Sequence, residues 1–157
     1  MDYSIRPIRK DEYPLLEDFI YEAIFIPEGV EPPPRSIVEN DDIQVYIKDF
    51  GSSGHDRCFV AEADDKVVGA VWVRIMNDYG HVDDETPSFA ISLYKGYRGK
   101  GIGTKLMQTM LAELKESGYK QASLAVQKAN YAVRMYLAVG FEIVDENDEE
   151  YIMIARL

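Results

Sequence analysis

The sequence predicts an alternating α/β fold in one domain, and three observations carry that prediction. Short β-rich runs alternate along the chain with stretches whose apolar residues recur at helical spacing. Glycines, prolines and polar clusters fall mainly between those runs, where turns belong. The length of 157 residues, with 46% hydrophobic and 29% charged content, suits a single globular core of ordinary size.

The elements follow in order. Tyr3 to Pro7 reads as a first strand, and Asp11 to Ile24 as a helix in which Leu15, Leu16, Phe19, Ile20 and Ala23 share a face. Residues 25–34 hold four prolines and a glycine and read as loop, and Ile43 to Phe50 as a second short helix. Phe59 to Ala63 and Val67 to Ile75 flank the polar turn Asp64 to Lys66, the pattern of an antiparallel hairpin. A polar loop from Met76 to Pro87 leads to the strand Ser88 to Leu93. After a glycine turn, Ile102, Leu106, Met107, Met110, Leu111 and Leu114 mark one helical face, stopped by Ser117-Gly118. Gln121 to Val126 is a further strand, Asn130 to Val139 a short helix capped by Asn130, and Phe141 to Val144 a strand. Across the acidic tip DENDEE, Glu150 to Leu157 completes a hairpin.

Composition excludes several functions. A net charge of -11 repels phosphate over most of the surface, which argues against nucleic acid and anionic membranes as partners. No apolar run approaches a membrane span, and the start MDYSIRPIRKDEYP lacks the pattern of a secretion signal, so the cytoplasm is the expected location. The lone cysteine, Cys58, lies in the apolar run CFVAEA and reads as a small core residue. No spacing of His, Asp and Glu amounts to a metal site.

Charge is unevenly placed. Between Glu85 and Glu113 there is no acid at all, in a chain that has 28, while Lys95, Arg98, Lys100 and Lys105 all fall in that window. At its centre, YRGKGIGTKL joins a strand to a helix through glycines at alternate positions. Such a turn offers unpaired N–H groups and the positive end of a helix dipole to one point, which is the chemistry of an oxyanion cradle. It is not a Walker loop, because Ile102 and Gly103 stand where Lys and Ser/Thr would follow Gly101. Nor is it a dinucleotide fingerprint, whose third glycine would fall on Leu106 or Thr104.

Arg98-Gly-Lys-Gly101-Ile-Gly103 resembles the [QR]-x-x-G-x-[GA] acyl-CoA signature of the GNAT N-acyltransferase family. The segment NYAVRMYLAVGF resembles that family's Asn…Ala…Tyr-x-x-x-Gly-Phe stretch, and the similarity covers roughly residues 57–157. The resemblance implies a mixed, mostly antiparallel sheet splayed open between its fourth and fifth strands, with the cofactor in the gap. It implies that Gly99, Lys100, Gly101, Ile102, Gly103 and Thr104 hold the CoA pyrophosphate, with Arg98 at the entrance. Ile91, Ser92 and Leu93 would run beside the pantetheine arm, and Asn130 would contact it. Tyr136 takes the place of the general acid that returns a proton to the departing thiolate; Tyr131 and Tyr151 are the other phenols nearby in sequence.

The expected activity is therefore transfer of an acetyl group from acetyl-CoA, without a metal, to a primary amine of a small molecule or peptide, by direct attack in a ternary complex. The alternative is a non-catalytic acyl-CoA-binding or regulatory module. One departure bears on that choice: many relatives carry a glutamate base on the strand matching Ser88 to Leu93, and this chain has none there. Asp83, Asp84, Glu85 and His81 are the available candidates, each read as a solvated loop residue before a base, with His55 read as surface. Homodimers are frequent in the family, so a homodimer is a possible assembly, although the sequence itself does not encode a readable oligomeric state.

Overall fold

The computed structural model describes residues 2–157. Its centre is one seven-stranded sheet in the order β1-β2-β3-β4-β5-β7-β6. The strands are β1 (Tyr3–Pro7), β2 (Arg57–Ala63), β3 (Lys66–Arg74), β4 (Ser88–Leu93), β5 (Gln121–Gln127), β6 (Phe141–Glu146) and β7 (Glu150–Arg156). The helices are α1 (Leu15–Ala23), α2 (Asp41–Gln44), α3 (Ile102–Glu116) and α4 (Val133–Ala138). Every neighbouring pair is antiparallel except β4 and β5, which are parallel.

Period two divides the side chains between two faces. Phe89 of β4 and Ala122, Leu124 and Val126 of β5 join Ile102, Leu106, Met107, Met110 and Leu114 of α3, with Tyr136 of α4, in one apolar cluster. Ala90 of β4 faces the other way with Trp72, Val60 and Cys58, covered by Leu16, Phe19 and Ile20 of α1. Cys58 is buried there, and burial pushes its thiol pKa up, so it serves as a small core residue.

The β2–β3 hairpin closes on Asp64 and Asp65, both at positive φ (54° and 62°), the two-residue turn whose twist matches the strands. Between β4 and β5 the sheet splays, as the family resemblance implies: only Ser88 and Ser123 are in register. The gap is closed there and opens toward Leu93 and Gln127.

The helices differ from expectation where proline or distant side chains intervene. The first begins at Leu15, not Asp11, because Pro14 occupies its N-cap and Lys10–Glu12 form a separate 3-10 turn. The second stops at Gln44, not Phe50. The carbonyls of Val45, Tyr46 and Lys48, which a longer helix would use, accept hydrogen bonds from Arg74 and Trp72 on β3. Arg74 is itself fixed by a two-pronged pair with Asp56, at 3.1 Å for each contact. Residues 35–39, between the proline loop and α2, form a 3-10 helix that periodicity alone did not indicate. None of the helices is long and apolar enough to cross a membrane among the described residues.

Candidate active site

The glycine turn begins with a 3-10 turn, Lys95–Tyr97, pinned to the hairpin tip by Tyr97, whose hydroxyl donates to Asp64 at 2.8 Å. Gly99 and Gly101 then take φ of +72° and +85°, a region that costs an L side chain about 1–2 kcal/mol. Gly101 is the N-cap of α3, and no side chain caps that helix. The first backbone bond of the helix runs from Lys105 N–H to Gly101 C=O. Among the described residues the amides from Gly99 to Thr104 therefore have no partner within the protein. The first turn of α3 carries no acid, and a Cβ built on Gly99 or Gly101 meets no atom within 4 Å. These donors line open space at the positive end of a 15-residue helix, an arrangement that fits a pyrophosphate.

Arg98 is turned away from that space. Its Nε donates to Leu93 C=O at 2.8 Å, and its guanidinium lies 3.4 Å from Glu22 Oε2 at the end of α1. It ties the mouth of the gap together rather than adding charge to the cradle. Lys100 and Lys105 are exposed on the turn.

The register decides which strand groups face the gap. Tyr94 N–H bonds to Val68 C=O in the β3–β4 ladder, so alternate residues Ser92, Ala90 and Ser88 point their backbone at β3. Ile91 and Leu93 point theirs toward β5, beyond the single registered pair, and offer an edge to which an amide-bearing arm can add. Ser92 does not join them: besides its laddered backbone, its Oγ donates to Phe19 C=O at 2.6 Å on the opposite face. The Ile91 and Leu93 side chains approach Gly103, whose hypothetical Cβ would sit 3.4 Å from both Leu93 Cδ1 and Met135 Sδ.

Tyr136 packs into the apolar cluster on the α3 side of the sheet. Its ring packs edge-on to Phe141 at 6.1 Å, and Phe141 packs edge-on to Phe89, the residue after Ser88, at 5.5 Å. Burial alone pushes its phenol up to about 12, so the group stays protonated and remains a donor. Tyr131 is exposed, and Tyr151 lies under the Lys128 ammonium, 5.3 Å from its ring centroid. Asn130 lies two residues before the N-cap of α4, not at it: its Oδ1 accepts from Ala132 N–H at 2.9 Å, forming the turn that leads into the helix.

Asp83, Asp84 and Glu85 lie at the surface, as solvated loop residues do. Asp83 accepts from Glu85 N–H and Thr86 Oγ1, both at 2.8 Å, and these bonds hold its pKa below the ordinary carboxylate value. Asp84 is 95% exposed and lies 3.4 Å from His81 Nε2, and Glu85 is exposed as well. His81 is only partly enclosed, though its Nδ1 is buried without a partner among the described residues. His55 is at the surface, hydrogen-bonded to Tyr119.

A carboxylate that periodicity and motif both passed over lies closer. Asp78, in the loop before β4, accepts from Ser88 Oγ at 3.1 Å and from Tyr46 Oη at 3.2 Å. Ser88 Oγ is 3.2 Å from Ser123 Oγ, which donates to Gly80 C=O at 2.8 Å. Gly80 lies so close to β5 that a Cβ there would stand 3.1 Å from Ala125 N. The loop thus covers the closed end of the gap on the α1 face. Its polar character in MNDYGHVDDETP hid this residue, since nothing local distinguishes Asp78 from the solvated acids after it. Among the described residues no cluster of three or more His, Cys, Asp or Glu could hold a metal.

Comparison with known proteins agrees with this architecture. The model of the Acetyltransferase (GNAT) family matches residues 14–141. An uncharacterized N-acetyltransferase of Archaeoglobus fulgidus is 30% identical over 142 residues, 86% of this chain and 89% of that protein. A probable N-acetyltransferase camello of Xenopus laevis is 37% identical over 89 residues, 54% of this chain; the match spans 38% of the camello protein, so the chain corresponds to less than half of that relative. Among solved structures, the PaiA N-acetyltransferase of Thermoplasma acidophilum, in complex with coenzyme A, superposes with a TM-score of 0.72 at 18% identity, over 100% of both chains.

Proposed function

The chain belongs to the GNAT family of acetyltransferases, and on that premise we propose that it moves the acetyl group of acetyl-CoA to a primary amine by direct attack in a ternary complex. The observation that carries this reading is the run of unpaired amides from Gly99 to Thr104 beside the open edge of β4. The amides receive the pyrophosphate of the cosubstrate, and the backbone groups of Ile91 and Leu93 pair with its pantetheine amides like an added strand. Arg98 keeps the mouth of the gap in shape by bridging Leu93 and Glu22. Asn130 sets the turn that carries α4.

Tyr136 then supplies the proton that the departing thiolate takes. A phenol held near 12 is a weak acid toward a thiol of reference pKa about 8.5, so its proton moves to sulfur only as the one shed by the attacking nitrogen replaces it, and until then its hydrogen bond strengthens as charge develops on sulfur. Its packed ring and water-poor surroundings favour that role, because a donor in low dielectric stabilises charge more than the same donor in water.

The acceptor is a neutral amine at the moment of attack. Acetyl-CoA incubated with a panel of primary amines (peptide N-termini, lysine, diamines, aminoglycosides), read as free thiol release, tests the reading. Amine-dependent release with at least one class supports transfer. Coenzyme A binding with no release for any amine supports the non-catalytic module instead.

A further inference from the structure

The chain lacks an acid on β4, yet attack requires that an ammonium of reference pKa about 10 lose its proton. The required group must lie at the closed end of the gap, because that is where an arm running along β4 from Leu93 ends. At a rise of about 3.3 Å per residue, Ser88 stands roughly 16 Å along the strand from Leu93. Two half-buried polar groups meet at Ser88 from the α1 face, Asp78 and, through it, Tyr46. On the opposite face, Tyr136 is linked through Phe141 to Phe89, the neighbour of Ser88.

We propose that Asp78 forms the acceptor-ammonium site: its carboxylate binds a primary alkylammonium at the closed end of the gap and takes the proton released before attack. The proposal rests on the acyl-CoA reading above. Asp78 has two donors in place, Tyr46 and Ser88, and a carboxylate accepts about four hydrogen bonds, so acceptor capacity is left for a cation. Tyr46 stays a donor, because burial and the neighbouring charges of Asp78, Glu150 and Asp42 all push its phenol pKa up. Burial likewise raises the Asp78 carboxyl above its ordinary value, which makes it the better proton acceptor. Asp83, by contrast, lies at the surface, where two donors of its own turn share one oxygen and hold its pKa low.

The step balances as follows. The ammonium gives one proton to Asp78, the neutral nitrogen forms a bond to the acyl carbon, and the carbon–sulfur bond breaks. Sulfur takes a proton from Tyr136, which is made good by the second proton that nitrogen sheds as the amide forms. Asp78 returns its proton to water, so each turnover releases one. Donor and acceptor of protons thus lie on opposite faces of the gap, with the acyl carbon between them.

The test needs no knowledge of the natural acceptor. S-(2-aminoethyl)-coenzyme A carries a primary ammonium on the sulfur, and S-propyl-coenzyme A has the same shape without the charge. Calorimetry on the full chain should show the ammonium probe binding at least about tenfold more tightly, the scale of one hydrogen-bonded charge. In Asp78→Asn the advantage should vanish while S-propyl-coenzyme A binds as before. An advantage that survives in Asp78→Asn, or an absence of advantage in the wild type, overturns the proposal. Failure of both probes to bind the wild type removes the acyl-CoA reading itself, and this proposal with it. Should Asp78→Asn fail to fold, Asp78→Ser, which leaves room for a water beside Ser88, carries the same expectation.

Discussion

Replacing each glycine of the turn by alanine in turn separates backbone strain from ligand approach. Gly96, Gly99 and Gly101 are alike in one respect: an added Cβ meets no protein atom within 4 Å at any of them. They differ in conformation, since Gly99 and Gly101 have φ of +72° and +85° and Gly96 is not at positive φ. Gly96→Ala should therefore leave both stability and coenzyme A binding unchanged. Gly99→Ala and Gly101→Ala should each lose about 1–2 kcal/mol of stability, the cost of the left-handed region for an L residue. In a chain of this size that is a fall in Tm of roughly 2–8 °C. Their Cβ atoms also enter the space that the unpaired amides line, so coenzyme A affinity should fall further than the strain alone explains. Thermal melts with and without saturating coenzyme A read both effects: the ligand-induced rise in Tm should persist in Gly96→Ala and shrink in the other two. Equal behaviour of all three variants would refute the argument from φ. Full affinity in Gly101→Ala would refute the cradle.

Further outcomes follow from burial and charge. Tyr136→Phe should lower turnover by about 10²-fold or more with acetyl-CoA affinity barely changed, the scale of general-acid loss. Because the active form of Tyr136 is protonated and its pKa is pushed up to about 12, deprotonation of this residue should not limit the rate at lower pH; an alkaline limb near neutrality that disappears in Tyr136→Phe would contradict its assigned state. Glu12, bonded to Arg6 at 2.8 Å through both oxygens, is lowered from 4.5 to about 2. Its pairing thus stabilises the fold above pH 4.5 and is lost as pH falls toward about 2; Glu12→Gln should flatten that part of the melting-temperature profile, and an unchanged slope would show the pair to be ineffective.

Much of the fold was legible because it is locally encoded. β4 was read to the residue, and α3 from its periodic face to its stop at Gly118, which takes φ of +91°. The glycine turn was legible for the same reason: Gly99 and Gly101 take the positive φ that glycine allows, just ahead of the helix. What failed to show in the sequence depends on contacts between distant segments. The second helix looked longer than it is because its carbonyls are claimed by Trp72 and Arg74, 26 to 29 residues away along the chain. The position of Arg98 at the entrance of the motif does not reveal that its hydrogen bonds go to Leu93 and Glu22, the latter 76 residues away. Asp78 was lost among acids because only its meeting with Tyr46 and Ser88 distinguishes it. Asn130 kept a turn-forming role, displaced by two residues from the helix cap expected of it.

The central claim is that the amides from Gly99 to Thr104 hold the pyrophosphate of an acyl-CoA. Titration of the ¹⁵N-labelled chain with coenzyme A, followed by amide chemical shifts, examines those groups individually. The account predicts saturable shifts centred on Gly99 to Thr104, with smaller ones at Ile91 and Leu93, and none of comparable size with ATP at equal concentration. Coenzyme A binding that leaves the amides of Gly99 to Thr104 unmoved would contradict it.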